Sequence, residues 1–383
     1  MTIFLMVFFL IYGSVHLYIF RKIRGAFCLS RNLDVWLGGW SLLMIVAPVL
    51  MHSLVRLGFE GLARCTAYIG YLWMGFLFYQ FLIFLVFDLY IVVVLAVGRI
   101  RRVRIPVFGF NNRVVIVMVL CSVLLVGYGF WEARSLRLER VVLSTPKLPA
   151  YIDRLKVVQV SDLHLGLMVG QERLKSVVEV IRQAKPDLLV ATGDLVDGQG
   201  DNLLKLARLI RAIPTPYGKF AVLGNHEMYA GRAYSQLFLE KAGFVVLRNE
   251  FQTVAEGLVV AGVDDRRSGT LPADDHGGEA KLMVELAGEK SFVLFLKHRP
   301  QVDPASLGHF DLQLSGHLHQ GQIFPFGKVV SWFYPVPVSK LIALGHGFLY
   351  VNRGAGTWGP PIRVLAPPEV TLVELVSAQS KDL

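Results

Sequence analysis

Five short segments of the sequence carry residue types that hold metal ions. They are Asp162 and His164 in VVQVSDLHLG, Asp194 in ATGDLVDG, Asn225 and His226 in VLGNHEMY, His298 in FLKHRP, and His317 and His319 in LSGHLHQGQ. Each follows an apolar run of strand length, and layered α/β domains keep their chemistry in the loops just past strand ends. The one-residue spacing of Asp162 and His164, and of His317 and His319, lets both members of a pair project on one side. Gly193 allows a tight turn that leaves the Asp194 carboxylate at a strand tip, where its two oxygens can bridge two ions. Asn225 offers a neutral carbonyl oxygen. His226 is open to two roles, ligand or proton donor; because adjacent residues point apart, donor is the better expectation. Asp197 is expected to be an outer acceptor or a helix cap, and Glu227 a structural residue.

Asp162, Asp194 and Asn225 supply oxygen, and His164, His298, His317 and His319 supply nitrogen. Seven ligands with Asp194 shared suit two divalent ions about 3.5–4 Å apart. A mixed nitrogen and oxygen set without sulfur suits Mn, Fe or Zn better than Mg or Ca. Cys28, Cys65 and Cys121 all precede these segments, so neither thiolate ligands nor a disulfide framework belongs to this part of the chain.

The apolar strands that lead into the segments alternate with amphipathic, helix-length stretches, which predicts an α/β class and a layered domain over 151–383. A basic, Pro-containing connector is expected at 133–150. Upstream the composition changes: to residue 131 the only acids are Asp34, Glu60 and Asp88. Four stretches, 2–20, 35–56, 67–98 and 114–132, reach the roughly 20 apolar residues that a helical membrane span needs. The first lacks a basic start and a small-residue cleavage site, so it reads as a retained span rather than a signal peptide. Asp88, inside the third, is expected to make a hydrogen-bonded contact between helices.

The net charge of +10 could suggest a nucleic-acid partner. Much of it instead flanks the spans, at Arg21, Lys22, Arg24 and Arg31 and again at Arg99, Arg101, Arg102, Arg104 and Arg113. That distribution excludes nucleic acid as the expected partner and leaves the bilayer. The positive-inside rule puts both clusters in the cytoplasm. The protein then reads as a multi-pass protein of the cell (inner) membrane, with four spans leaving the C-terminal domain on the extracytoplasmic side.

The series DLH, GDLVD, GNHE, KHRP and GHLHQGQ resembles the five-block signature of the calcineurin-like metallophosphoesterase superfamily. The tail LYVNRGAGTWGPPIRVLAPPEVTLVEL also resembles its bacterial YkuE/YaeI-like branch, in which membrane-attached members are common. The resemblance covers about 150–376. It implies a metallophosphoesterase four-layer α/β/β/α sandwich behind the transmembrane bundle, with a dimetal site at one edge. Asp162, His164, Asp194 and His319 would go to one metal, and Asp194, Asn225, His298 and His317 to the other. His226 matches the family's histidine that assists the leaving group or steadies the phosphoryl oxygens. The reaction so implied is hydrolysis of a phosphate ester or pyrophosphate bond by in-line attack of a metal-bridging hydroxide.

The segment IFPFGKVVSWFYPVPVSKLIALGHG is rich in aromatic residues and proline. It fits either an apolar flap, lying on the membrane or gripping an acyl chain, or a hairpin packed on its own domain. In the first case Lys328, Lys340 and Arg353 would meet headgroup phosphate, and the expected substrate is a membrane lipid or a lipid-linked phosphate. The alternatives are a phosphodiesterase for soluble substrates, with the bundle as mere anchor, and a transporter or sensor with Asp88 on its path.

Overall fold

The computed structural model describes residues 2–149, 151–198, 203–265 and 277–378. Residues 150, 199–202, 266–276 and 379–383, which belong to the ranges expected above, lie outside the described residues. The chain divides into two compact units. One runs to Trp131 and takes in Gly359–Ile362; the other comprises Glu132–Trp358 and the chain from Arg363 onward.

The first unit contains helices α1 (Thr2–Phe27), α2 (Arg31–Arg56), α3 (Glu60–Arg101) and α4 (Asn112–Glu132). All four are long and apolar enough to cross a membrane. Helix satisfies every backbone polar group within the segment, which hydrocarbon demands. With 42 residues, α3 is about 63 Å long at 1.5 Å per residue, well beyond a hydrocarbon core of about 30 Å. Polar side chains between the helices pair with one another: Trp73 Nε1 donates to His16 Nε2 (3.0 Å) and Ser122 Oγ to Gln80 Oε1 (3.0 Å). Asp88 accepts from Tyr18 Oη at 2.6 Å and forms an ion pair with Lys22. It is thus a hydrogen-bonded contact between helices.

The second unit runs β1 (Arg137–Thr145), β2 (Arg154–Val160), α5 (Gln171–Ala184), β3 (Leu188–Thr192), α6 (Leu203–Arg211), β4 (Lys219–Val222), α7 (Asn225–Ala230) and α8 (Arg232–Lys241). It continues through β5 (Val245–Val246), β6 (Glu250–Ala255), β7 (Leu258–Gly262), α9 (Gly277–Glu285), β8 (Phe292–Leu296) and β9 (Leu312–Ser315). The last elements are α10 (Phe326–Phe333), β10 (Leu341–Ala343), β11 (Phe348–Val351) and β12 (Glu369–Ser377). Two six-stranded sheets result, in the orders β1-β12-β2-β3-β4-β5 and β10-β11-β9-β8-β7-β6.

Strand alternation builds the four layers, because successive side chains leave opposite faces of a sheet. In β2, Leu155 and Val157 enter the core between the sheets while Val158 and Val160 meet α5. In β8, Phe292, Leu294 and Leu296 enter that same core, and Val293 and Phe295 meet α9. Helices therefore cover both outer faces, and the unit is a four-layer α/β/β/α sandwich, as the resemblance implies.

Two segments differ from expectation. Residues 137–145, inside the stretch expected as a connector, form edge strand β1, paired in parallel with β12 along its whole length. Its charges interrupt the apolar alternation, yet an edge strand tolerates and even favours charge. The aromatic-rich segment is not a simple hairpin: helix α10 comes first, and only β10 and β11 pair as a short antiparallel hairpin.

Candidate metal centre

The expected ligands come together. The parallel run β2, β3, β4 aligns the ends of those strands, and β8 and β9 of the second sheet bring theirs to the same edge. Three overlapping groups result, each with its ligand atoms within 4.8 Å of one another: Asp162, His164 and His319; His164, Asp194 and His226; and Asp194, His298 and His317. Asp194 belongs to two of the groups, and Asn225 joins the last through its Oδ1, 3.1 Å from His298 Nε2.

The backbone is bent sharply to achieve this. Asp162, His164, Asp194, His317 and His319 all have positive φ, between 48° and 72°. Side-chain-bearing residues adopt that region at a cost, and it concentrates at functional sites. Gly193 (φ +90°) has no alternative: a Cβ there would stand 2.6 Å from His298 Nδ1 and 2.8 Å from Gly224.

Hydrogen bonds set which ring nitrogen is free. His298 Nδ1 lies 2.8 Å from the Thr192 carbonyl, an acceptor only, so Nδ1 carries the proton. Nε2 then faces Asp194 (3.1 Å) and Asn225 (3.1 Å). His226 Nδ1 lies 2.5 Å from Asp197 Oδ1, which turns its Nε2 toward the other rings. His319 Nδ1 accepts from the Arg363 guanidinium at 3.1 Å, while its Nε2 lies 3.0 Å from His164 Nε2 and 3.3 Å from Asp162.

Electrostatics agree with a cation site. Asp162 and Asp194 are buried, which alone would raise their carboxyls. His319 beside Asp162, and His298 beside Asp194, outweigh burial and hold both well below the usual carboxylate range. Burial and neighbouring His319 lower His164 to about 4; burial and His298 lower His317 to about 3. Both therefore present neutral, ligand-ready imidazoles near neutral pH. Burial works against a proton on His298, but Asp194 raises it well above the ordinary value.

Glu227 holds the scaffold. Its Oε1 accepts from the amides of Leu195 (2.6 Å) and Val196 (3.1 Å), and its Oε2 from those of Asp194 (2.8 Å) and Gly224 (2.8 Å). Burial and the Asp194 charge push its carboxyl up, to about 7. All four partners are donors, however, so the geometry calls for the anion.

Converging lone pairs around two buried carboxylates are the donor chemistry of a divalent-cation site. Asp162, His164 and His319 could hold one ion, and Asp194, His298 and His317 a second. The guanidinium of Arg353 pairs with buried Glu369 (2.5 Å) and with Glu139. Sequence reasoning missed Arg363, which is fully buried. It donates to the carbonyls of Gly356 and Ala366 as well as to His319. No spacing pattern singles it out; only the tertiary fold brings it beneath His319.

Residues 155–321 match the calcineurin-like phosphoesterase family. An uncharacterized metallophosphoesterase of Aquifex aeolicus is 40% identical over 255 residues, covering 66% of this chain and 97% of that protein. The uncharacterized metallophosphoesterase YkuE of Bacillus subtilis is 34% identical over 266 residues, covering 66% of this chain and 90% of its own. A Danio rerio transmembrane protein with metallophosphoesterase domain is 27% identical over 281 residues, 70% of this chain and 64% of that one. The chain belongs to the calcineurin-like metallophosphoesterases, a family of metal-dependent phosphoric ester hydrolases.

Proposed function

We propose that the protein hydrolyses a phosphate ester or pyrophosphate bond of a membrane lipid or lipid-linked substrate, on the extracytoplasmic side of the cell membrane. The observation that carries the hydrolytic part is the pair of ligand groups sharing Asp194. The lipid part is supported by four candidate spans in the same chain and by exposed aromatic side chains on the catalytic unit, Trp358 beside His226 (ring centroids 6.0 Å apart) among them. The side of the membrane follows from the Arg and Lys clusters at the α1–α2 and α3–α4 connections.

Asp162, His164, Asp194 and His319 would hold one divalent ion, Mn, Fe or Zn, and Asp194, Asn225, His298 and His317 the second. Bound there, the two ions supply a nucleophilic water of lowered pKa and neutralise charge on the phosphoryl oxygens. The chain's own residues do the rest. Asp197 fixes the His226 ring through Nδ1–H, leaving Nε2 to face the substrate position. Burial disfavours the imidazolium at His226, but Asp197 and then Asp194 raise it above its ordinary value. A protonated Nε2 can then pass its proton to the departing oxygen, the general-acid role. Glu227 keeps the Asp194 loop in place throughout.

The test is hydrolysis of a chromogenic phosphodiester by the detergent-solubilised full chain with added Mn²⁺, beside Asp194→Asn. Metal-dependent turnover lost in the variant supports the shared-carboxylate site. A chain that binds no metal overturns it. Comparing liposomal with soluble esters then separates a lipid hydrolase from a soluble phosphodiesterase with an anchor.

A further inference from the structure

Helix α10 has two unlike faces. Val330, with Tyr334 just beyond the helix, packs against Leu318, Leu349 and Val351 on the outer face of the second sheet. Phe326, Val329, Trp332 and Phe333 are exposed, Trp332 to 81% and Phe333 to 75%. Two aromatic rings this open, side by side on one helix, mark a surface that something apolar covers.

Charge and chain connection point to the cover. From Leu312 to Pro368 the sequence contains no Asp or Glu, whereas Lys328 within α10 and Lys340 after it are exposed. A cationic segment without acids, carrying exposed Trp and Phe, has the composition of a helix lying in the interface of an anionic bilayer. A bilayer is also within reach by covalent connection. Helix α4, of span length, ends at Glu132, and β1 begins at Arg137, a link of about 18 Å at most when fully extended.

The surface is joined to the metal centre. Tyr334 meets the ligand His317 edge-on, with ring centroids 6.0 Å apart, and α10 packs on the turn His319–Gly321. Reciprocal bonds between Gln322 and the backbone of Trp358 tie in a further exposed aromatic residue, itself next to His226.

We propose that the exposed face of α10 docks into the headgroup–acyl boundary of the anionic bilayer that anchors the chain, so that the metal centre opens at the lipid surface. As an account of substrate access this rests on the lipid reading above; as a membrane contact it stands without catalysis. A monomeric lipid bound between α10 and the domain core is a different occupant, and so is a second protein.

The test uses the full chain in nanodiscs of phosphatidylglycerol and phosphatidylcholine. The exposed Cys28, Cys65 and Cys121 are replaced by Ser, and a fluorescent label is placed at Phe333→Cys or, as a control on the opposite outer layer, at Gln183→Cys. Brominated acyl chains should quench the label at 333 at least about twofold more than the label at 183. Adding Trp332→Asp should remove most of that difference, and metal stoichiometry checks that each variant is folded. Equal quenching at 333 and 183 overturns the proposal, as does quenching at 333 that Trp332→Asp leaves unchanged. Neither readout needs turnover, so a failure to hydrolyse esters counts against the activity and not against docking.

Discussion

Glu227→Gln is the most informative single change, because one side chain holds four amides of the two loops that carry Asp194 and Asn225. The amide keeps one acceptor oxygen and presents an NH₂ group to the other pair of N–H donors. Two hydrogen bonds to a charged acceptor are lost, each contributing about 1.5–3 kcal/mol. Relief of the repulsion between Glu227 and Asp194 offsets part of this, leaving a net loss of about 3 kcal/mol. For a domain of this size that lowers the midpoint by roughly 6–12 °C. Either pair includes an amide of the Asp194 loop, so the Asp194 carboxylate shifts as well, and a displacement near 1 Å slows turnover by about 10². Half-inactivation temperature and chromogenic-ester turnover of the detergent-solubilised chain give both numbers. A midpoint within about 1 °C of wild type, with turnover intact, would refute the scaffold role.

Other expectations follow from the same geometry. His226→Ala should slow esters with poor leaving groups by about 10²-fold or more, and Asp197→Asn should do the same more weakly; equal loss on activated esters removes the proton-donor role. Gly316→Ala puts a Cβ onto Ser161 Oγ and Asp162 Oδ2, so isothermal titration should show weakened Mn²⁺ binding; unchanged affinity would mean that the loop yields freely. Arg353→Met strands the buried Glu369 and should lower stability by about 3 kcal/mol. A raised KM with normal thermal stability would instead put Arg353 in the substrate site. In the wild type, Mn²⁺ at a hundredfold its Kd should add about 2.7 kcal/mol of stability, and an unmoved melting midpoint would speak against a site that forms with folding.

The residues of the candidate metal site were legible in the sequence because strand ends leave a local mark. An apolar run that breaks at Ser161, Gly193, Gly224 or Gly316 and continues with Asp, Asn or His states both where a strand stops and what chemistry follows. The long apolar helices were legible for a similar reason: their solvent leaves no alternative to a continuous run. What depends on pairing across the chain was not. Strand β1 becomes a strand only because β12, more than two hundred residues later, offers an edge; its own charged pattern resembles a linker. Arg353 carries the charge of a phosphate ligand, and only the packing of β1 and β12 commits it to Glu139 and Glu369. Arg363 has no local signature, since its place under His319 comes from the return of the tail beneath the ligand loop. Local patterns thus determine which residues can do chemistry and roughly where the elements lie. Long-range packing decides which of those side chains share a site, because burial and partner choice are properties of the assembled sheets rather than of any segment.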